Sequence, residues 1–446
     1  MMLALCALLV ALAPQDAPSD KRRLTSAPDR RVELDFQHYY KTRELRNALS
    51  SLAAAYPEFL QMGSLGKSRG NEELWMVRLA ENSSSDPETR PAIFVAASQS
   101  LSDVQGTELA LAALVELLQN HAREDRVTRA LRETTIYFVP CANPDLRGIV
   151  LGALESGTAS SQDWPARVDL ERNYPVGWSP FRDAGDALSG NPGPYPLSEP
   201  ESRLVFSFLA EHENVGVLLA FAPQEGFLAL RPFEQPGFRE PAGLRRVIDG
   251  PLQQTGLAIQ FSGRVAHPRG NLDDFAFGQL GVLPLRVHCG ESDSQTGLAL
   301  PRTEEIAPHS RRVAAALLAL TEALPRLSIA GTSVQRLKND LWQLEITVAN
   351  VGTLRTQSVL GSERGAVGLP RLLVRGGKLA GAGVRTGREE IYQPLGVEQG
   401  EIALTELDGG AELRVRVLIS APAETSVELL ASSPRAGSAT TALVLR

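Results

Sequence analysis

Six histidines and three cysteines are all the imidazole and thiol that this 446-residue chain contains. Zinc chemistry needs such side chains gathered three at a time around one open position. One string has the spacing of a ligand pair, His121-Ala122-Arg123-Glu124, with an imidazole and a carboxylate three residues apart. It stands at the far end of a helical stretch, in an Ala-Arg-Glu-Asp setting, and reads as a chance match. Cys141 and Cys289 could pair in an oxidising compartment, but two buried free thiols are the simpler reading. Trp75, Trp164 and Trp178 are expected as core or loop anchors rather than ligand platforms.

The elements that must position these residues follow from the periodicity. Met1 to Ala13 is a short apolar run ending in Ala11-Leu12-Ala13, a small-x-small cleavage pattern that contains Cys6. It is too short to span a bilayer, so residues 1–17 are expected to be a signal peptide and the protein to be secreted or periplasmic. Residues 18–34, rich in Pro, Asp, Lys and Arg, read as a flexible lead-in. From 35 to 327 apolar runs alternate with helical patterns, which marks an α/β domain. Ala92–Ala97 is a fully apolar run, as expected of a strand buried on both faces, Thr134–Val139 reads as a second strand, and Val215–Ala222 and Val282–Cys289 read as further buried-type strands. Asn143-Pro144-Asp145 is a turn signal after the second of them. Ser198 and Glu201 are spaced as a capping box before the stripe Leu204, Val205 and Phe208, and a last helix is expected around Arg311–Leu324. After 327 the period becomes two: Leu344, Ile346 and Val348, then Leu413, Val415, Val417 and Ile419, alternate with polar residues. Residues 328–446 therefore read as a small β-sandwich with no strong helix.

Composition agrees with a globular chain, 43% hydrophobic and 22% charged. A net charge of −7 offers no basic face for nucleic acid. No later segment is long and apolar enough for a transmembrane helix.

Six stretches resemble the zinc carboxypeptidases of the A, E and D type. They are Tyr56-Pro57, Ser64-Leu65-Gly66-Lys67-Ser68, Asn143-Pro144-Asp145, Asp169-Leu170-Glu171-Arg172-Asn173-Tyr174-Pro175, Gly193-Pro194 with Ser198-Glu199-Pro200-Glu201, and Gly270-Asn271-Leu272-Asp273-Asp274-Phe275-Ala276-Phe277-Gly278. Each is a weak match alone, but all fall in the family's order. The resemblance implies a mixed-sheet carboxypeptidase-like (phosphorylase/hydrolase-type) α/β domain followed by the all-β sandwich. It also implies a zinc site built from a His-x-x-Glu pair and a distant His, a catalytic Glu, and Arg side chains that hold a peptide's terminal carboxylate.

Alignment to those motifs puts other residues at the metal-ligand and general-base positions and leaves only Arg172 and Asn173 of the polar constellation in place. The metal-ligand positions hold Ser100, Asp103 and Pro223, with Gln224 and Glu225 next, and the general-base position holds His288. Phe277 stands for the family's Tyr, Glu171 for an Asn and Glu72 for one Arg, while a second Arg falls near Gln162 in the Ser/Ala-rich stretch Ser156–Ser161. His212 and His267 are off the ligand positions. Arg172 and Asn173 remain as substrate-binding candidates, with an ion pair from Arg172 to Glu171 or Glu72 as the alternative. Phe275 and Phe277 are expected to line a pocket wall. No zinc is expected to bind, and the protein is expected to be a non-catalytic relative that binds peptide or protein C-termini or acts as a scaffold. The alternatives are an active metallocarboxypeptidase with an unusual site and a structural envelope protein acting through its sandwich. Ser100, Asp103 and His288 as a nucleophilic triad, and Asp103, His288 and Glu225 as a substitute metal site, are two further readings of the same pocket.

Overall fold

The computed structural model describes residues 27–82, 85–100, 103–158, 167–180, 191–223, 229–232, 243–259, 270–289, 303–386, 391–398 and 400–446. The expected signal peptide at 1–17 lies outside them. Among the described residues no helix is long and apolar enough to cross a membrane.

An eight-stranded mixed sheet organises the first part of the chain. Its strands are β1 (Leu60–Lys67), β2 (Glu73–Leu79), β3 (Ala92–Ala96), β4 (Thr135–Val139), β5 (Val215–Pro223), β6 (Ala229–Pro232), β7 (Ala258–Ile259) and β8 (Leu283–Cys289), in the order β1-β2-β4-β3-β5-β8-β6-β7. The four central strands β4, β3, β5 and β8 run parallel, as the apolar runs predict. Strands β1, β2 and β6 pair antiparallel at the flanks. The helices are α1 (Thr42–Ala55), α2 (Gly106–Asn120), α3 (Asp125–Glu133), α4 (Pro144–Ser156), α5 (Pro200–Glu211), α6 (Leu244–Val247), α7 (Leu272–Leu280) and α8 (Thr303–Ala323). Alternate strand residues face two cores. Ile93, Val95, Phe138, Leu219 and Val287 pack with α2 and α8, whereas Phe94, Tyr137, Leu218 and Ala220 pack with α5 and α7.

Two local expectations are corrected. Asn143-Pro144-Asp145 starts a helix rather than making a turn: the Asn143 side chain caps α4 by accepting from Leu146 N at 3.2 Å, and Pro144 takes the first helical position, where its missing N–H costs nothing. The expected lead-in is docked where it is described: Asp29 N donates to Gln119 O, Tyr56 Oη donates to Asp29 O, and Val32 and Leu34 pack on the main core.

Residues 327–444 form two five-stranded antiparallel sheets. Strands β9 (Leu327–Lys338), β10 (Leu341–Asn350), β11 (Arg371–Arg375), β12 (Lys378–Thr386), β13 (Gln393–Leu395), β14 (Val397–Glu398), β15 (Glu401–Ala403), β16 (Glu412–Ser420), β17 (Ser426–Ser433) and β18 (Gly437–Val444) assemble as β13-β12-β16-β10-β9 and β14-β15-β11-β17-β18. The alternating residues of β10 and β16 are fully buried between the sheets, beside Trp342. One short helix, α9 (Val359–Arg364), interrupts this all-β region. The sandwich is keyed to the α/β domain by Arg435, which is 3% exposed and donates to the carbonyls of Leu280 and Gly281 at the end of α7. A guanidinium there satisfies carbonyls that the helix cannot.

Candidate functional site

The carboxyl ends of β3, β5 and β8 open on one edge of the sheet, where α/β folds place ligands. The loop after β3 is closed by Asp103, whose carboxylate accepts from Ser98 N at 2.6 Å and from Gly106 N at 3.1 Å. Asp103 is fully buried, and burial pushes its pKa up to about 7. Ser100 Oγ is buried and makes no hydrogen bond.

On β8, Arg286 and His288 share the sheet face turned to α5 and α7. Arg286 is the cation of a buried cluster: its Nη2 donates to Glu171 Oε2 at 2.5 Å and its Nε donates to Asp273 Oδ2. All three residues are no more than 6% exposed. Burial, with Asp273 and Asp169 nearby, pushes Glu171 up against the pull of Arg286. Glu171 Oε1 and Asp273 Oδ1 make no hydrogen bond. Asp273 arrives on α7, whose cap is Asn271, accepting from Asp274 N at 2.7 Å. Gly270 precedes it at φ +85°, and a Cβ there would stand 2.9 Å from Arg172 O.

The motif residues around this edge mostly hold one another. The turn after β1 is fixed by Asp145, which accepts from Ser68 Oγ and Gly70 N, both at 2.6 Å. Arg69 reaches α5 instead: its N donates to Glu201 Oε1 at 3.0 Å, and its guanidinium to both oxygens of Glu199. Asn173, fully buried, donates to Pro192 O, Tyr195 O and Ser198 Oγ and accepts from Glu199 N. At Gly193 (φ +80°) a Cβ would sit 2.4 Å from Ser198 Oγ.

These contacts correct several expectations. Asn173 is a strut of the 191–199 loop, and its whole carboxamide is engaged by protein. The Ser198/Glu201 capping box does not form, because Ser198 is held by Asn173 and Glu201 by Arg69, and Glu199 is the N-cap. Arg172 is 9% exposed on a 3-10 turn, and one of its two candidate partners, Glu171, accepts from Arg286. The Ser100/Asp103/His288 triad is not assembled: Asp103 faces backbone N–H groups, and β5 separates β3 from β8, two strand spacings or roughly 10 Å. Among the described residues no three His, Cys, Asp or Glu side chains are grouped to hold a metal ion. Glu225, Gln224, Gln162, Trp164 and His267 lie outside the described residues.

Phe275 is core, stacked on Tyr174 and Phe206, and Phe277 is 8% exposed. Trp178 anchors a loop by donating to Pro192 O, and Trp75 lies under Arg46. His121 ends α2 with its Nδ1 2.7 Å from Leu118 O and its ring on Phe59, so its string is structural. His212 sits before β5, at the opposite end of that strand from Pro223. Cys141 is a buried free thiol. β4 and β8 have β3 and β5 between them, roughly 14 Å, beyond disulfide reach.

The buried carboxyls set the pH response. A carboxyl whose pKa is higher in the fold than in the unfolded chain stabilises below its unfolded pKa and loses that contribution as pH rises through its folded pKa. For Asp103 the window runs from its ordinary 3.8 to about 7, at ~1.4 kcal/mol per unit. Glu88 acts in the opposite sense: His212, Tyr137 and Arg78 hold it down to about 2, so its contribution is lost as pH falls below 4.5. Stability to urea is therefore expected to peak near pH 4 and to fall by pH 8. Asp103→Asn is expected to flatten the alkaline slope. An unchanged slope in that variant would show that Asp103 is ionised throughout.

Residues 45–316 match a family model described as zinc carboxypeptidase, and residues 326–444 match one described only as a domain of unknown function. Duck (Anas platyrhynchos) carboxypeptidase D is 33% identical over 202 residues, covering 44% of this chain and 13% of that protein. The matches to carboxypeptidases D span only 8–13% of those relatives' own lengths. The crystal structure of thrombin-activatable fibrinolysis inhibitor superposes with a TM-score of 0.51 at 15% identity, covering 64% of this chain and 74% of that one. Carboxypeptidase A from Helicoverpa armigera gives 0.51 at 16%, covering 65% and 76%. These two likenesses concern the fold.

Proposed function

Because the match over residues 45–316 places the chain in the zinc carboxypeptidase family, we propose that it serves there as a non-catalytic member that binds peptide or protein C-termini. The observation that carries this reading is the commitment of Asp103. It is the one side chain at the three aligned ligand positions with a carboxylate to give, and its two oxygens accept from Ser98 N and Gly106 N. Ser100 supplies a poor zinc ligand and Pro223 none, so the residues present do not fit the metal. At the general-base position, His288 lies beside a sheet-face cluster in which Arg286 already pairs with Glu171 and Asp273. The apolar leader at residues 1–17 supports a secreted or periplasmic location.

Purified full-length protein dialysed against zinc is expected to retain far less than one equivalent by mass spectrometry. Peptides incubated with it and added zinc should keep their C-terminal residues. Stoichiometric zinc together with stepwise C-terminal release overturns the proposal.

A further inference from the structure

Between the turn at residues 68–70 and the starts of α4 and α5 lies a cleft of about 270 Å3, lined in part by Arg69, Asn143, Asp145, Arg167, Glu199 and Glu201. Small-molecule pockets begin at roughly 300 Å3, so this one suits a ligand no larger than an amino acid. Most of its acidic groups are already engaged. Both oxygens of Asp145 accept from the turn, and both oxygens of Glu199 accept from Arg69. Glu201 differs: it is 4% exposed, its Oε1 accepts from Arg69 N, and its Oε2 has no hydrogen-bond partner. An unsatisfied buried carboxylate oxygen is costly and calls for a donor. Arg167, in contrast, is exposed on the lining and makes no ion pair or hydrogen bond among the described residues. The helices behind the cleft, of 13 and 12 residues, add partial positive charge at their N-termini.

We propose that this cleft binds a free α-amino acid, with its ammonium donating to Glu201 Oε2 and its carboxylate facing Arg167. The charges are arranged for a zwitterion: one unpartnered acceptor in the buried wall and one exposed guanidinium. A divalent cation would need several oxygens at once, and only one is open. The inference stands on the cleft alone, independent of whether the sheet edge is catalytic.

The test is calorimetric titration of the full chain with a set of free L-amino acids, each beside its α-amide and its decarboxylated amine. At least one amino acid should bind, with its amide and amine each at least about tenfold weaker, the scale of one lost charge-assisted hydrogen bond. Glu201→Gln keeps an acceptor for Arg69 N and should melt like the native protein while losing binding at least about tenfold. Arg167→Gln, at an exposed position, should weaken the amino acid and leave the amine unchanged, and it carries the test should Glu201→Gln fail to fold. No binding by any amino acid, amides that bind as well as acids, or undiminished binding by a folded Glu201→Gln protein overturns the proposal.

Discussion

Arg286→Met is expected to be among the most damaging single substitutions in the α/β domain, by about 3–5 kcal/mol at pH 8. The side chain removed is apolar-compatible in size, so the loss is not one of packing. Arg286 is the single cation between Glu171 and Asp273, and without it two carboxylates stay buried side by side. They can remain only by taking up protons, because burial without a cation disfavours the charged form. By linkage the variant's deficit should shrink as pH falls toward 5 and grow as pH rises through the raised pKa. Adding Glu171→Gln and Asp273→Asn should recover much of the loss at pH 8, because the charge left behind, more than the missing pair, is what costs. Urea denaturation of the single and triple variants at pH 5 and pH 8 decides it. Equal losses at both pH values in the single variant would show that the two carboxyls are not the source.

That cluster also marks where reading the sequence stops. The central strands were legible, since Ala92–Ala96, Thr135–Val139 and Val215–Pro223 are largely apolar runs with no alternation, as a sheet covered on both faces requires. The sandwich was legible from period two in β10 and β16. The six motifs were found, but their meaning was not, because it lies in long-range pairing. Ser68 meets Asp145 across 77 residues, and Arg69 meets Glu199 across 130. No local pattern announces such partners, so Asn173 and Ser198 passed for a ligand contact and a helix cap. One signal was available and unused: an arginine inside the buried strand Leu283–Cys289 has to find a carboxylate, since a buried charge is not tolerated alone.

The same reasoning applies to Arg147, which stands among the apolar residues of α4 and ties three elements together. Its Nε donates to Tyr40 O at 2.8 Å, its Nη1 to Val104 O at 2.6 Å, and its Nη2 to Glu108 Oε1 on α2. Tyr40 N donates to the same carboxylate oxygen at 2.9 Å, so Glu108 holds both the chain entry and the arginine. Both side chains are essentially inaccessible to solvent. Arg147→Met should cost about 3–5 kcal/mol by leaving Glu108 charged and alone, and Glu108→Leu a similar amount by stranding the guanidinium. The double variant should be no worse than either single one. Its cost is set by orphaned backbone groups at Tyr40 and Val104, about 1–3 kcal/mol each, with no buried charge remaining. A double-mutant cycle in urea measures the coupling directly. Additive losses would mean the two residues act independently, and the anchoring of the N-terminal segment would then rest on its apolar packing and on the Asp29–Gln119 backbone bond.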